Sequence, residues 1–255
     1  MAVMDEFRDE REAIKSAPLK KKLAYFWTYY KLPTIIAVVA VALIISFVIV
    51  VNSSKETLLN GILLNCKSEG EYTKEDLMDE FFEDQGIDSD KCELELIMDL
   101  AYKASGEDED YSVKNDTANQ TILVYSEAGT LDFITGSYDV LMDIAYKGEF
   151  ADLSEILTEE EYAAYEPYFL YLDMDVYNQR KAILEDGGDA SSIQLPDCTD
   201  KDSMKEPVPV LIDMSQSEAL VKLYDDPAET LALGISGSTD NLEKTLDFVE
   251  FLMYK

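Results

Sequence analysis

Residues Pro33 to Val51 read PTIIAVVAVALIISFVIVV and carry no charge. The uncharged run extends from Leu32 to Ser54, between Lys31 and Lys55. At about 1.5 Å of rise per residue, a helix over the nineteen residues of this run would be roughly 28 Å long, close to the hydrocarbon thickness of a bilayer. Val and Ile are mediocre helix formers in water, but in lipid the backbone must satisfy its own hydrogen bonds, and a helix is the way one segment does so. A buried core helix of this length would show a polar face, and this stretch has none. A cleaved leader would have a shorter apolar run and a small-x-small cleavage site. Here Val51-Asn52-Ser53-Ser54 leads straight into Lys55 and Glu56. The expectation is one uncleaved transmembrane signal anchor over residues 32–54.

The flanks set its direction. Lys15, Lys20, Lys21, Lys22 and Lys31 precede the span, and residues 13–32 contain no acid. The positive-inside bias therefore predicts a cytoplasmic tail over 1–31 and an extracytoplasmic domain over 55–255. Tyr25, Phe26, Trp27, Tyr29 and Tyr30 fall where an interfacial aromatic belt belongs, and Trp27 is the only Trp in the chain. Residues 4–16 are predicted to form a short polar helix ending before Pro18.

Charge separates the two sides. Residues 1–32 hold seven basic and five acidic residues, which leaves 14 of the chain's 21 basic and 48 of its 53 acidic residues for the remainder, a net charge of −34. Nucleic acid and anionic lipid headgroups are poor partners for such a surface, whose simplest reading is solvation. The chain has no histidine, which removes Ser-His-Asp and Cys-His catalysis and most zinc sites. Cys66, Cys92 and Cys198 leave two options open, one bridge plus a buried thiol or three buried thiols. Leu63-Leu64-Asn65-Cys66 is not a lipoprotein box, because Asn precedes the Cys and charges separate it from the apolar run.

Beyond the span, Thr57–Asn65, Cys92–Met98 and Leu131–Ile134 read as apolar strands. Between them lie a helix started by Thr73-x-x-Asp76 and stopped at Gly86, and another over Val113–Ser126. A third, capped by Ser137, runs to Tyr146. This β-α-β-α-β-α order predicts an α/β domain with a mostly parallel sheet covered by helices. Thr158-x-x-Glu161 is a capping box, and Tyr162, Tyr165, Tyr168, Phe169, Tyr171 and Leu172 follow at roughly helical spacing. Residues 185–206 read as loop, VPVLI (208–212) as a strand, Ser215-x-x-Glu218 as a cap for a helix over Ala219–Tyr224, TLALGI (230–235) as a last strand, and Asp240-x-x-Glu243 as the start of a closing helix.

Two stretches carry a family resemblance. One is Ala128-Gly129-Thr130-Leu131-Asp132-Phe133-Ile134, with Leu141, Ile144 and Ala145, then Gly148-Glu149-Phe150-Ala151-Asp152-Leu153-Ser154. The other is Ser238-Thr239-Asp240-Asn241-Leu242-Glu243 through Phe248, Phe251 and Leu252. Together they resemble the extracellular solute-binding proteins of ABC importers, a periplasmic-binding-protein-like family. The resemblance covers residues 57–157 and 208–252. It implies a solute-binding-like lobe interrupted by a Tyr-rich helix and loop excursion over 158–207. Members of that family usually have two lobes, and about fifty residues are too few for a normal second one, so the expected form is a reduced single lobe.

Open α/β sheets bind ligands beyond the carboxyl ends of their strands. Those positions are Asn65 to Ser68, Asp99 to Lys103, and Thr135 to Tyr138. The ligand candidates are therefore Asn65, Thr135, Gly136, Ser137 and Tyr138, with Thr135-Gly136-Ser137 expected at a helix N-terminus that offers backbone N–H groups; an ordinary cap is the plainer alternative. The Tyr162/Tyr165/Tyr168/Tyr171 series is either a sugar-stacking surface or a packing stripe, the latter being favoured. Asp173, Asp175, Asp197, Asp200 and Asp202 do not fit a calcium-loop pattern, and no metal or other cofactor is expected. Asn52, Asn115 and Asn119 match the glycosylation sequon. The expectation is a membrane-anchored, extracytoplasmic, non-enzymatic binding or interaction protein of a bacterial cell surface. Its partners would be the membrane, a surface protein or a small solute. The alternative is a receptor that hands a sugar or peptide to an ABC permease.

Overall fold

The computed structural model describes residues 18–53, 55–66, 70–104, 109–190, 192–224 and 230–254. The expected tail helix over 4–16 lies outside the described residues, as do the side chains of Tyr25, Tyr29, Tyr30 and 48–53. Two compact units divide the chain, Met1–Ser54 and Lys55–Lys255.

The first unit contains one helix, α1 (Leu19–Ser53), 35 residues long. From Leu32 to Phe47 its described side chains are apolar apart from Thr34 and Ser46, and nearly all are exposed, Ile36, Val38, Leu43, Ile44 and Phe47 by 60% or more. Phe26 and Trp27 are exposed too, and the Lys31 ammonium lies 5.8 Å from the Trp27 ring. Among the described residues no helix is long and apolar enough to cross a membrane.

The second unit is a six-stranded sheet with helices on both faces. Its strands are β1 (Glu56–Leu63), β2 (Cys92–Ile97), β3 (Phe133–Ser137), β4 (Phe169–Asp173), β5 (Pro207–Asp213) and β6 (Leu231–Ile235), in the order β2-β1-β3-β6-β5-β4. The helices are α2 (Lys74–Gln85), α3 (Glu109–Glu127), α4 (Tyr138–Ala145), α5 (Leu153–Ile156), α6 (Glu159–Tyr165), α7 (Met174–Glu185), α8 (Glu218–Tyr224) and α9 (Leu242–Tyr254).

The period-2 alternation of strands sorts side chains between two cores. Leu59, Leu63, Phe133, Phe169, Tyr171, Ile212, Leu231, Leu233 and Ile235 enter one, with Phe81 of α2 and Phe248 of α9. Ile62, Ile134, Leu170, Leu172, Leu211 and Ala232 enter the other, with Ile122 of α3 and Leu141 and Ile144 of α4. In the first core the Phe248 ring meets Phe81 edge-on at 5.1 Å and Phe133 at 4.9 Å.

Four expectations are corrected. The sheet is parallel only where β2, β1 and β3 pair; β6 is antiparallel to β3, β5 to β6, and β4 to β5. β4 and β6 are buried along their whole length, and a strand buried on both faces has no pattern that encodes its direction. The Tyr series is not one helix. The expected capping box at Thr158 and Glu161 forms, but α6 ends at Tyr165, a 3-10 turn holds Pro167, and Phe169 begins β4. Pro167 has no N–H to extend a helix, and aromatic and leucine residues then alternate at period 2. The excursion thus adds the edge strand of the same sheet. Finally, the run Thr135-Gly136-Ser137 ends β3 and does place Ser137 at the N-cap of α4, as expected, but Ser137 makes no side-chain cap; its hydroxyl donates to Asp139 at 2.6 Å. Likewise Ser217, not Ser215, caps α8, accepting from Leu220 N–H at 3.3 Å.

One carboxylate joins the parallel and antiparallel halves. Asp132 is fully buried just before β3. It accepts from Asn60 N–H of β1 at 2.8 Å, Thr239 Oγ1 at 2.6 Å and Asn241 Nδ2 at 3.3 Å, while its backbone carbonyl accepts from Ser236 N–H at 2.9 Å. The two stretches that carry the family resemblance therefore meet at this residue.

Gly61 in β1 is needed for close approach, since a Cβ there would lie 2.2 Å from the Phe133 ring. Gly61→Ala is expected to lower stability by about 1–3 kcal/mol through overpacking, read as a lower urea midpoint at unchanged slope.

Candidate functional site

A cavity of about 600 Å³ opens at the carboxyl ends of β1, β2 and β3, lined among others by Asn65, Asp99, Tyr102, Lys103, Ser137 and Asp139. Its position follows from the topology: parallel strands bring three strand-to-helix connections to one edge.

Asn65 organises that edge. It is the one described non-glycine residue with positive φ, at 60°, a conformation Asn tolerates better than most residues. Its N–H donates to Leu100 O at 2.9 Å. Its side-chain amide then clamps Tyr102, with Oδ1 accepting from Tyr102 N–H at 2.8 Å and Nδ2 donating to Tyr102 O at 2.7 Å. Asn115 of α3 does the same to the next residue, Oδ1 accepting from Lys103 N–H at 3.0 Å and Nδ2 donating to Lys103 O at 2.9 Å. Two amide side chains thus replace a strand partner for Tyr102 and Lys103, and the loop after β2 is held without a ladder.

Beneath the loop, the Tyr102 hydroxyl donates to Asp143 of α4 and accepts from Lys147. Lys147 pairs with Asp143 at 3.1 Å and donates to Asn119 Oδ1 at 3.2 Å. Burial, then the Asp143 carboxylate, push the Tyr102 phenol far above its ordinary range. It stays protonated at neutral pH, which makes it a structural donor and not a base.

The structure distributes the predicted site residues unevenly. Asn65 and Ser137 line this cavity. Tyr138 lines a neighbouring one, its hydroxyl 3.2 Å from Ser215 Oγ. Thr135 is fully buried, with Oγ1 2.8 Å from the Tyr224 hydroxyl, and Gly136 is buried against Leu141 and Leu64. Lys67 and Ser68 lie outside the described residues. Asn115 and Asn119 of the sequons are engaged by Lys103 and Lys147, and the Asn52 side chain is not described.

The other candidates separate. Tyr162 packs edge-on to Phe169 at 5.0 Å, Tyr165 and Tyr171 are buried, and Tyr168 is 39% exposed, so the series forms no common stacking face. Among the described residues no group of carboxylates, cysteines or histidines could hold a metal ion, and the three cysteines are unbridged. Burial and the neighbouring Asp197 push the Cys198 thiol up to about 11, leaving it protonated. Asp173 caps α7; burial would raise its carboxyl, but N–H donors of Lys205, Glu206 and Asp175 outweigh that and hold it below the usual carboxylate range. Sequence reasoning missed Tyr102 and Lys103 as clamped residues, named Asn115 only as a sequon, and missed Asp143 and Lys147 altogether. The only legible signal was an Asn directly after a strand.

No protein-family model matches the chain, and no curated protein does. Among solved structures, the chain shows a weak similarity to the ABC substrate-binding protein Lmo0181 from Listeria monocytogenes in complex with cycloalternan, at 14% identity and a TM-score of 0.25. The match covers 50% of this chain and 34% of that one, so it spans about a third of that protein's length. A likeness this loose carries no argument about fold or function.

Two outcomes follow for the clamp and the cap. Asn65→Gly keeps the left-handed turn but loses the side-chain hydrogen bonds, costing about 1–2 kcal/mol, and Asn65→Ala costs about 1 kcal/mol more because it strains the positive φ, an order that urea denaturation reads directly. Asp173 has a depressed native pKa, so its contribution is full above the unfolded carboxylate value of about 3.9 and fades as pH falls through the native value. The stability gap between the parent chain and Asp173→Asn is therefore expected to be widest at neutral pH and to shrink as the pH falls below the unfolded value and through the native one in an acid titration of the unfolding midpoint.

Proposed function

We propose that this chain is a single-pass, membrane-anchored protein whose acidic α/β domain faces the extracytoplasmic side and acts by binding, without catalysis. The observation that carries the reading is the polar cavity at the carboxyl edge of β1, β2 and β3, held open by the Asn65 and Asn115 clamps. Its lining mixes backbone, a lysine, a serine and two carboxylates, a set suited to hydrogen bonding a small polar solute or a polar loop of a surface protein. The anchor reading is supported by the uncharged run of 32–54, the outward apolar side chains of α1, and the lysines before it. The absence of histidine in the sequence and the protonated states of Tyr102 and Cys198 favour binding over acid–base or nucleophilic chemistry.

The cavity also favours a second reading, a receptor that passes a sugar or peptide to a permease. A thermal-shift panel of sugars and short peptides separates the two. A receptor shows a raised midpoint with some solute, lost in Asn65→Ala; an interaction module shows none across the panel and instead retains a surface protein. Protease added to intact cells is expected to digest the 55–255 domain and spare the N-terminal tail. The opposite pattern rejects the extracytoplasmic reading.

A further inference from the structure

A second cavity, of about 570 Å³, lies beside the first and has a different character. Met142, Ile193, Leu195 and Pro196 give it apolar walls. Arg180 of α7 also lines it and is the only arginine beyond residue 11. In a domain with such an acid excess, an arginine would ordinarily find a carboxylate. Among the described residues Arg180 forms no ion pair; its guanidinium lies 5.7 Å from the Tyr146 ring, and its Nε is buried with no hydrogen-bond partner. The side chain is only partly buried, so the rest of the guanidinium meets the cavity with no carboxylate partner among the described residues, and an anionic guest would supply one.

The acids at this cavity are each committed elsewhere. Asp143 is paired with Lys147 and bonded to Tyr102. Asp139 accepts from Ser137, and Asp197 turns back onto the N–H and hydroxyl of Thr199. Asp139 and Asp197 keep their charge, so their field weakens any anion and a multiply charged one most, which favours a guest of one charge.

We infer that this second cavity binds a small amphiphilic monocarboxylate, with its carboxylate on the Arg180 guanidinium and its apolar body against Met142, Ile193 and Leu195. The two cavities share Asp139 as a wall but differ in the rest of their lining, Arg180 belonging to the second and Asn65 to the first, so the failure of this assignment and the failure of the binding reading above are separately visible.

Hexanoate is a suitable probe, with 1-hexanol and hexylamine as neutral and cationic controls of the same length. In calorimetric titration of the purified full chain at pH 7, hexanoate is expected to saturate one site and to bind at least fivefold more tightly than either control. Arg180→Gln is expected to weaken hexanoate at least fivefold while leaving hexanol unchanged, and Arg180→Lys to fall between. Ile193→Trp, which fills the cavity from another wall, is expected to weaken hexanoate without touching the guanidinium. Hexylamine binding as tightly as hexanoate, or undiminished hexanoate binding in either Arg180→Gln or Ile193→Trp, overturns the assignment.

Discussion

The buried carboxylate of Asp132 is the constraint on which the domain's two halves depend. A charge removed from water is tolerated only where hydrogen bonds replace its hydration. Asp132 finds those donors in three places far apart in sequence: the backbone of β1 at Asn60, the hydroxyl of Thr239 and the amide of Asn241. The chain must therefore bring the approach to α9 back to the start of β3. That return sets β6 beside β3, and the antiparallel half of the sheet is built outward from it.

The same economy recurs at the opposite edge. Where the β1–β2 ladder ends, the loop after β2 would expose unpaired backbone groups. Asn65 and Asn115 supply amide partners to Tyr102 and Lys103, and Tyr102 in turn is anchored by Asp143 and Lys147. A cavity stays open there because its rim is fixed by side chains rather than by a continuing strand. The neighbouring cavity is bounded by the segment that sequence alone presented as an unstructured excursion, so both cavities are products of long-range return.

Much of the local structure was legible. Thr73 with Asp76 and Thr158 with Glu161 form the capping boxes their spacing announces, and Gly86 closes α2 at φ 64°. Five strands fall close to the apolar runs that named them. The Tyr-rich stretch was misread because Tyr162, Tyr165 and Tyr168 keep a helical spacing that runs across Pro167, and the alternation after it is only five residues long. Of the site residues, Asn65 and Ser137 reach the polar cavity, whereas Thr135 and Gly136 are core. Thr135 and Ser137 share a face of β3, so what separates them is depth: Ser137 closes the strand at the rim, while Thr135 lies two residues further in against Tyr224 and Gly136 faces the opposite core, a distance from the edge that no local pattern marks.

The sequence by itself determined the charge asymmetry, the uncharged run, the absence of histidine, and the helices and strands whose caps and periodicities are local. Those features depend on residues within a few positions of one another. The tertiary structure alone decided the direction of β4, β5 and β6, the pairing of Asp132 with the segment before α9, and the isolation of Arg180 at a cavity wall. Each of these is a contact between residues distant in the chain, and its energy comes from burying polar groups against specific partners, which no short window of sequence contains.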